Sequence, residues 1–383
     1  MNVISAQIPA PPATVERIET AILDVPFKRT QRFARFEATA QTTVLVRLTA
    51  SNGMQGIGEA TVPCGPWWSG DAVETMKLMI DQYFAPEFVG LDLRNVEHAL
   101  AGIARVARGN SFAKAGVEMA LLDLLGRHVG LPVWALLGGK FRDECAVAWP
   151  LASGDLDTDL QEIDTMLSTG RASAFKVKMG SETLRRDLDR VQAYVTHLNG
   201  RAGVRVDPNE AWSFTDAKLA LPRLQEMGID MIEQPFDRVQ LDWMSRMSAR
   251  SGVPIMIDEG AQSEADVLRA VQSGAAHLLS LKIMKAGGLR ASRRMADLAE
   301  TGGMSLYMGT FLETSLGTAA GLHLAATCKA LPLGGEVIGP MLMADDIAAN
   351  PVAYTGGAAH LPDGPGLGID LDEDRVAAMT RKT

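Results

Sequence analysis

The chain contains few cysteines and no pattern that would use them together. Cys64, Cys145 and Cys328 lie far apart, and no Cys-x-x-Cys spacing occurs. A zinc knuckle, a redox pair and a disulfide framework each need cysteines at close or regular spacings, so the sequence argues against all three. This use of cysteine fits a reducing compartment.

Long apolar runs and long basic runs are also missing. The first 20 residues contain no extended apolar stretch after a basic start, and no run of about 18 apolar residues occurs anywhere. We therefore expect neither export nor membrane insertion, and a cytoplasmic location. The formal net charge is -9 and no cluster of Lys and Arg is present, so we expect no nucleic-acid partner.

The composition is that of a globular protein with a sizeable core. Hydrophobic residues make up 47% of the 383 residues and charged residues 22%, which also makes a homo-oligomer plausible. Residues 17–60 alternate apolar and polar positions around an SNG turn, which predicts an antiparallel meander. Apolar residues at helical intervals follow in residues 71–90 and 111–130. Together these features predict an α+β capping domain over residues 1–143.

A different pattern begins at residue 144 and continues to residue 344, where one apolar strand and one amphipathic helix alternate. The candidate strands are AVAWPLA, AFKVKMG, GVRVDPN, MIEQP, PIMIDE, LLSLKI, SLYMGT and GGEVIG. Eight such units predict a parallel (β/α)8 TIM-type barrel, in which reactive groups lie at the C-terminal ends of the strands. We expect the tail, residues 345–383, to pack back on the capping domain.

Charged residues end five successive predicted strands. They are Lys178, Asp207, Glu233, Asp258 and Lys282, at intervals of 29, 26, 25 and 24 residues. Each interval suits one strand, one helix and two loops. The sequence therefore predicts that these side chains meet at one end of the barrel.

The three carboxylates of this set, Asp207, Glu233 and Asp258, predict a metal site. Convergent carboxylates repel one another and would become protonated unless a cation compensates them. Ligands that are all oxygen suit Mg²⁺ or Mn²⁺ better than zinc. The alternative is that each carboxylate caps the following helix or pairs with an arginine.

The lysines predict proton transfer. Lys176 and Lys178 are two residues apart on one strand, so both should point into the barrel. A neighbouring ammonium and a metal cation would lower the pKa of Lys178 toward the range in which it can accept a proton. Lys282 ends the strand half-way round the ring, so it should face Lys178 across a substrate. The alternative, for Lys176 or Lys285 taken singly, is a solvated side chain.

The motifs FKVKMG, DPNEAW, EQP, IDEG and LKIMKAGG, taken in this order, resemble the muconate lactonising subgroup of the enolase superfamily over nearly the whole chain. That superfamily uses a Lys or His base with one or two Mg²⁺ ions that stabilise an enolate-type intermediate. The seventh predicted strand ends in YMGT without a histidine. This feature disfavours the mandelate racemase subgroup.

The resemblance implies a role for each charged residue of the predicted ring. Asp207, Glu233 and Asp258 would bind the metal, while Lys178 and Lys282 would act as acid and base on opposite faces of the substrate. These implied roles agree with the chemistry predicted from the residues themselves.

The resemblance also implies supporting residues around the ring. Lys176 would tune Lys178 and contact a substrate carboxylate, and Asn209 and Glu259 would support the site, with Glu259 a candidate partner of Lys282. The segment FLETSLGTAAGLHLAAT is similar to muconate cycloisomerases and makes Glu313 a catalytic candidate. His323, in the same segment, is interpreted as a core or surface residue rather than a ligand.

Two stretches of the capping domain are candidates for contact with substrate. Arg32, Arg35 and Phe36 would lie on a lid, and Trp67 and Trp68 on a second loop. The alternative for the aromatic residues is that they pack the junction between the capping domain and the barrel.

The implied reaction is the cycloisomerisation of cis,cis-muconate, a small carboxylate, to muconolactone through an enolate that receives a proton from Lys178. The loop VPCGPWWSG departs from the pattern expected of a muconate site. Racemisation or epimerisation of amino-acid derivatives or dipeptides, and dehydration to o-succinylbenzoate, therefore stay open as alternatives. A metal-binding protein without turnover is a further alternative of a different class.

Overall fold

The computed structural model describes residues 12–32 and 37–382, and its first part is an antiparallel sheet covered by helices. The strands are β1 (Val15–Arg32), β2 (Glu37–Ala50) and β3 (Gln55–Thr61), paired in that order. The helices are α1 (Val73–Met79), α2 (Ala85–Phe88), α3 (Val96–Val106), α4 (Ser111–Val129) and α5 (Val133–Leu136), with a π-helical turn at Ile80–Phe84 between α1 and α2. The meander and the two long helical stretches predicted from the sequence are present.

Helix α4 lies directly on β3 because glycines remove the side chains between them. A Cβ atom at Gly58 would lie 2.2 Å from the carbonyl oxygen of Gly116, and one at Gly56 would lie 2.4 Å from that of Ala120. Helix α4 is buried along most of its length. It therefore has the capping sheet on one side and the barrel on the other.

The second part is a parallel sheet with helices around it. Its strands are β5 (Ala148–Leu151), β6 (Ala174–Lys178), β7 (Gly203–Asp207), β8 (Met231–Glu233), β9 (Ile255–Ile257), β10 (Leu278–Leu281) and β11 (Ser305–Met308), in this spatial order. The helices are α6 (Leu156–Ser168), α7 (Leu184–Leu198), α8 (Phe214–Glu226), α9 (Leu241–Ser248), α10 (Glu264–Ser273), α11 (Ile283–Ala286), α12 (Leu289–Thr301), α13 (Ser315–Thr327) and α14 (Gly339–Leu342). This is the TIM-type barrel with a cap that the sequence predicts.

The eighth predicted strand, GGEVIG, is wrong as a regular strand, although it closes the ring. Gly335 forms parallel bridges to Val147 on one side and to Met308 on the other. Its N–H donates to the carbonyl of Ala146 at 2.9 Å, and the N–H of Glu336 donates to that of Met308 at 2.7 Å. A Cβ atom at Gly335 would lie 2.4 Å from the Cβ of Met308. The segment approaches its neighbours too closely for a strand with side chains on both faces.

The tail returns to the beginning of the chain. Strands β12 (Tyr354–Thr355) and β13 (Ala358–His360) form a small sheet with β4 (Glu144–Ala146), and helix α15 (Glu373–Met379) follows. Arg381 donates two hydrogen bonds to Asp24 of β1, at 2.6 and 2.8 Å. Across the described residues, no helix combines the length and apolarity needed to cross a membrane.

Candidate active site

The charged residues that end the barrel strands lie at one end of the parallel sheet. Lys178, Asp207 and Glu233 are the last residues of β6, β7 and β8, while Asp258 and Lys282 directly follow β9 and β10. Parallel strands bring their C-terminal ends to the same edge, so the sequence spacing becomes a cluster in space. Asp207, Glu233 and Asp258 are at most 1% exposed, and Lys282 is 9% exposed.

Lys176 lies at the bottom of the cluster, where it joins carboxylates from β7, β8 and the eighth segment. Its Nζ is 2.5 Å from Glu233 Oε2 and 3.3 Å from Asp207 Oδ2, and it also donates to Glu336. The side chain is 2% exposed, so it is not a solvated lysine. It sits within the carboxylate cluster.

Lys178 lies above Lys176 and is accessible to solvent. Its side chain is 40% exposed, and its Nζ donates to Asp207 Oδ2 at 2.5 Å and to Asn209 Oδ1 at 3.0 Å. Asn209 also donates to Glu259 Oε1 at 3.2 Å. The accessible ammonium of Lys178 is therefore oriented by two acceptors, one at the end of β7 and one in the loop that follows it.

Asp258 holds the lysines on the opposite side of the cluster. Its Oδ2 accepts from Lys282 Nζ at 2.6 Å, and its Oδ1 accepts from Lys285 Nζ at 2.8 Å. The candidate pairing of Lys282 with Glu259 is not the one observed, because Asp258 occupies the ammonium of Lys282. Lys285 is 2% exposed, so the solvated alternative does not apply to it.

The protonation equilibria of the carboxylates reflect their mutual repulsion and their lysine partners. Burial opposes the ionisation of Asp207, but Lys178 and Lys176 outweigh it and hold the pKa of Asp207 at about 2. Burial and the charge of Asp207 raise the pKa of Glu233 well above its usual value. The close approach of these acids therefore favours the protonated form of Glu233.

The pKa values of two buried lysines of the cluster, Lys282 and Lys176, are raised. Burial lowers the pKa of Lys282, but the attraction of Asp258 outweighs it and raises that pKa. Burial likewise lowers the pKa of Lys176, and Glu233 and Glu336 more than compensate. Both pKa values rise because carboxylates, rather than other cations, are the nearest neighbours of these two ammonium groups.

The donor set fits a divalent cation in its chemistry. Five carboxylates and four lysines meet here: Asp207, Glu233, Asp258, Glu259, Glu336, Lys176, Lys178, Lys282 and Lys285. Acids thus outnumber lysines, and Glu259 Oε2 is buried without a hydrogen-bond partner among the described residues. Within those residues, no group of three or more His, Cys, Asp or Glu side chains is arranged to hold a metal ion. Ammonium groups contact each of the three predicted ligands, and a metal would have to displace them.

The capping part contributes an aromatic wall beside Lys282. Trp68 is 5% exposed, and its ring lies 4.7 Å from that of Phe311 and 6.2 Å from that of Phe112, centroid to centroid. The Nζ of Lys282 lies 5.4 Å from the Trp68 centroid and 4.8 Å from the Phe311 centroid. Trp68 therefore packs the junction and also contacts a charged group of the site. Trp67 is 49% exposed, and its indole N–H donates to the carbonyl of Pro63 at 2.7 Å.

Glu313 and His323 lie in the segment after β11. Glu313 is 8% exposed and accepts hydrogen bonds from Thr310 Oγ1 at 2.5 Å and from the N–H of Phe311 at 3.0 Å, so it shapes the loop that carries Phe311. His323 is buried between Trp134 N–H, at 3.2 Å, and the carbonyl of Leu367, at 3.1 Å. His323 is a core residue, as interpreted from the sequence.

The predicted lid falls largely outside the described residues. Arg35 and Phe36 lie in the undescribed segment 33–36, and for Arg32 the structure describes only the backbone at the end of β1.

Sequence reasoning missed Glu336, which contacts Lys176 from the eighth segment. The signal that identified the other residues, a charge within an apolar barrel segment, is also present in GGEVIG. It also missed Glu210 and Arg238, which pair at 2.9 Å beside Trp68. These two residues occupy loops, where charged residues are common and carry no special signal.

A parallel barrel with lysines and carboxylates at its strand ends, capped by an antiparallel sheet, defines an enzyme of the enolase type. Two family models match the chain: the mandelate racemase / muconate lactonizing enzyme N-terminal domain over residues 17–138, and the enolase C-terminal domain-like model over residues 159–375. The chain therefore belongs to the mandelate racemase / muconate lactonizing enzyme family of the enolase superfamily. Enzymes of this family depend on a divalent metal ion.

Characterised relatives match nearly the whole chain. A chloromuconate cycloisomerase of Cupriavidus pinatubonensis is 50% identical over 94% of this chain and 97% of its own length. Muconate cycloisomerase 1 of Pseudomonas putida is 42% identical over 96% of this chain and 99% of its own length. The crystal structure of a muconate lactonizing enzyme from Pseudomonas fluorescens in complex with muconolactone is 41% identical and has a TM-score of 0.94, covering 96% of this chain and all of that one.

Proposed function

We propose that this protein is a cycloisomerase that converts cis,cis-muconate or a chlorinated muconate to the corresponding lactone. The observation that carries the proposal is the placement of Lys178 and Lys282 on β6 and beyond β10, with three buried carboxylates between them. The full-length likeness to proteins with this activity supports it.

The chemistry consists of one intramolecular addition and one proton transfer. A carboxylate oxygen of the substrate adds to the double bond that is conjugated with the other carboxylate. The electron pair of that double bond then moves onto the second carboxylate, giving an enolate, and the α carbon takes a proton from the ammonium of Lys178. Lys178 suits this role because it is the accessible lysine of the pair on β6 and is oriented by Asp207 and Asn209.

Lys282 would stabilise the negative charge that develops on the enolate, and the acidic residues would hold a divalent ion that does the same. Lys282, raised in pKa and therefore cationic, lies on the far side of the cluster, where a positive charge favours the enolate. We assign Asp207, Glu233 and Asp258 as the residues that would hold Mg²⁺ or Mn²⁺. A bound divalent ion supplies a Lewis acid that stabilises enolate charge. Lys176 and Glu336 would set the charge balance beneath it.

The proposal is tested by following the ultraviolet absorbance of cis,cis-muconate and of 2-chloromuconate after addition of protein and Mn²⁺. We expect loss of absorbance with at least one acid, abolished by a chelator, and one deuterium at the α carbon of the lactone formed in D₂O. No reaction with either acid, together with α-deuterium exchange into N-acylated amino acids or dipeptides, would contradict it and favour the racemase or epimerase alternative.

Two further features of the protein belong to this proposal. A homo-oligomer is supported by apolar side chains on the surface, including Phe141 at 65% exposure, Leu219 at 62% and Val239 at 77%. Light scattering coupled to gel filtration measures the assembly directly.

A cytoplasmic location is supported by three cysteines that are all free thiols.

A further inference from the structure

Two consecutive residues of the loop after β7 adopt a backbone conformation that side-chain-bearing residues rarely adopt. Asn209 has φ of +45° and Glu210 has φ of +68°, in the left-handed region that favours glycine. The turn directs Asn209 to Lys178, at 3.0 Å, and Glu210 to Arg238 in the loop after β8. One strained turn thus serves the catalytic lysine on one side and Arg238 on the other.

Glu210 holds Arg238 through three hydrogen bonds. The backbone N–H and Nε of Arg238 donate to Glu210 Oε1 at 2.7 and 3.0 Å, and Nη2 donates to Oε2 at 2.9 Å. Both side chains are partly buried, with 34% and 21% exposure. A two-point contact of this kind fixes the plane of the guanidinium, which a single ammonium could not do.

The fixed guanidinium in turn contacts the loop that enters from the capping part. Nη1 of Arg238 donates to the carbonyl of Trp68 at 3.3 Å, and its Cζ lies 5.5 Å from the centroid of the Trp68 ring. Lys282 approaches the same ring, at 5.4 Å. The indole of Trp68 therefore lies within cation–π range of two cations, the guanidinium of Arg238 and the ammonium of Lys282.

We propose that Arg238, oriented by Glu210, is a positioning residue that holds the loop of residues 62–72 against the barrel, so that Trp68 covers Lys282. The loop would then exclude water from the side of the active site that faces the capping part, and keep the ammonium of Lys282 in place. Arg238 does not touch the reacting atoms, and its effect on turnover passes through Trp68. This role rests on the proposed function, whereas the loop contact itself does not.

The contact is tested by hydrogen–deuterium exchange of the peptide covering residues 62–72, without substrate. We expect this peptide to exchange at least about tenfold faster in Arg238→Met than in the unaltered protein, because the open form becomes more populated. Arg105→Met is the matched control. Arg105 lies on α3, away from the site, and its guanidinium is 2.7 Å from the carboxylate of Glu87 on α2, so this variant also breaks an ion pair. Unchanged exchange in Arg238→Met would overturn the proposal.

Two further variants separate anchoring from general destabilisation. Arg238→Lys keeps the charge but not the two-point contact, so its exchange should fall between those of the unaltered protein and Arg238→Met. Glu210 acts on the loop only through its contact with Arg238. The loop peptide of the double variant Glu210→Gln/Arg238→Met should therefore exchange no faster than that of Arg238→Met alone. Additive effects would contradict the assigned order of contacts.

Kinetics then link the loop to turnover. With the substrate that passes the absorbance test, kcat/KM should fall about tenfold or more in Arg238→Met because the active site is no longer closed, and Arg105→Met should match the unaltered protein. Equal kinetics in all three would overturn the functional part. If neither muconate reacts, the exchange result still decides whether Arg238 holds the loop, so failure of the proposed function is distinguishable.

Discussion

Each lysine of the site contacts at least one buried carboxylate, and the exposure of the lysine determines what a substitution would do. Lys176 is fully enclosed by Glu233, Glu336 and Asp207, whereas Lys178 keeps 40% of its side chain in solvent. Removing one partner of an enclosed pair leaves an uncompensated buried charge and costs about 3–5 kcal/mol. Lys178 is therefore the residue at which chemistry can be separated from stability.

We expect Lys178→Met and Lys178→Arg each to lower kcat by about 10³-fold, the usual size of a lost general acid or base. Arginine retains the charge beside Asp207 but does not release its proton in the working pH range. Steady-state kinetics measure the loss, and urea unfolding checks that Lys178→Arg folds as stably as the unaltered protein. A variant with more than a tenth of the original kcat would contradict the assignment of Lys178.

Glu118 gives a second prediction at this scale. It accepts from the N–H of Arg290 at 3.2 Å, and its Oε2 has no partner within the described part of the chain. Burial, only partly offset by Arg290, raises its pKa from 4.5 to about 7. Between these values the folded state binds more protons than the unfolded state, so the free energy of unfolding falls as pH rises. Above about pH 7 the loss contributed by this group is complete and stays constant.

Glu118→Gln should remove this contribution. The variant should gain stability over the unaltered protein by up to about 1.4 kcal/mol per pH unit between pH 4.5 and 7. Urea unfolding at pH 5 and pH 7.5 measures the difference, with Glu97→Gln, an exposed partner of Arg290, as control. Parallel stability curves for the unaltered protein and Glu118→Gln would rule the effect out.

The elements of the barrel were predictable to the extent that each has its own apolar run. The runs that became β5 to β11 were found in the sequence, and the charged residues that end five of them predicted the position of the site. The eighth run, GGEVIG, was found as well but was wrongly predicted as a regular strand. Its closure of the ring depends on how closely Gly335 approaches Met308, and no local pattern encodes that distance. The lysine–carboxylate pairing and the place of Trp68 beside Lys282 likewise depend on tertiary contacts.

The close approach of Gly335 to Met308, which closes the ring, gives a prediction at the scale of the element. Gly335→Ala would place a Cβ 2.4 Å from both the Cβ and the carbonyl oxygen of Met308, so one side of the ring must move. We expect a loss of about 1–3 kcal/mol in the free energy of unfolding, typical of steric conflict in a core. Gly321→Ala in α13 is the control, because its Cβ would meet only ordinary contacts at 3.9 Å. Equal melting temperatures in the two variants would contradict the closure.

At the scale of the molecule, the site depends on both parts of the chain at once. The barrel provides the charged groups, the capping part provides Trp68, and α4 of the capping part reaches Arg290 of α12 through Glu118. Burial of five carboxylates in one place opposes folding unless they are compensated, so a ligand that compensates them should stabilise the whole molecule.

We therefore expect Mg²⁺ or Mn²⁺ to raise the melting temperature, with about 2.7 kcal/mol of stabilisation at a metal concentration 100 times the dissociation constant. Asp258→Asn should abolish most of this shift, and a chelator should reverse it. Scanning calorimetry with and without metal measures the effect. An equal shift in the variant would place the metal elsewhere.

The route by which the ring closes has a consequence for synthesis on the ribosome. Gly335 joins Val147 across 335 − 147 = 188 residues, and Arg381 reaches Asp24 across 381 − 24 = 357. Neither junction can form before the chain has been elongated to Gly335 or Arg381, so the nascent protein carries an open sheet with two unpaired edges at least until residue 335 has emerged. Such edges attract other strands, so we expect the nascent chain to be most prone to aggregation during this interval.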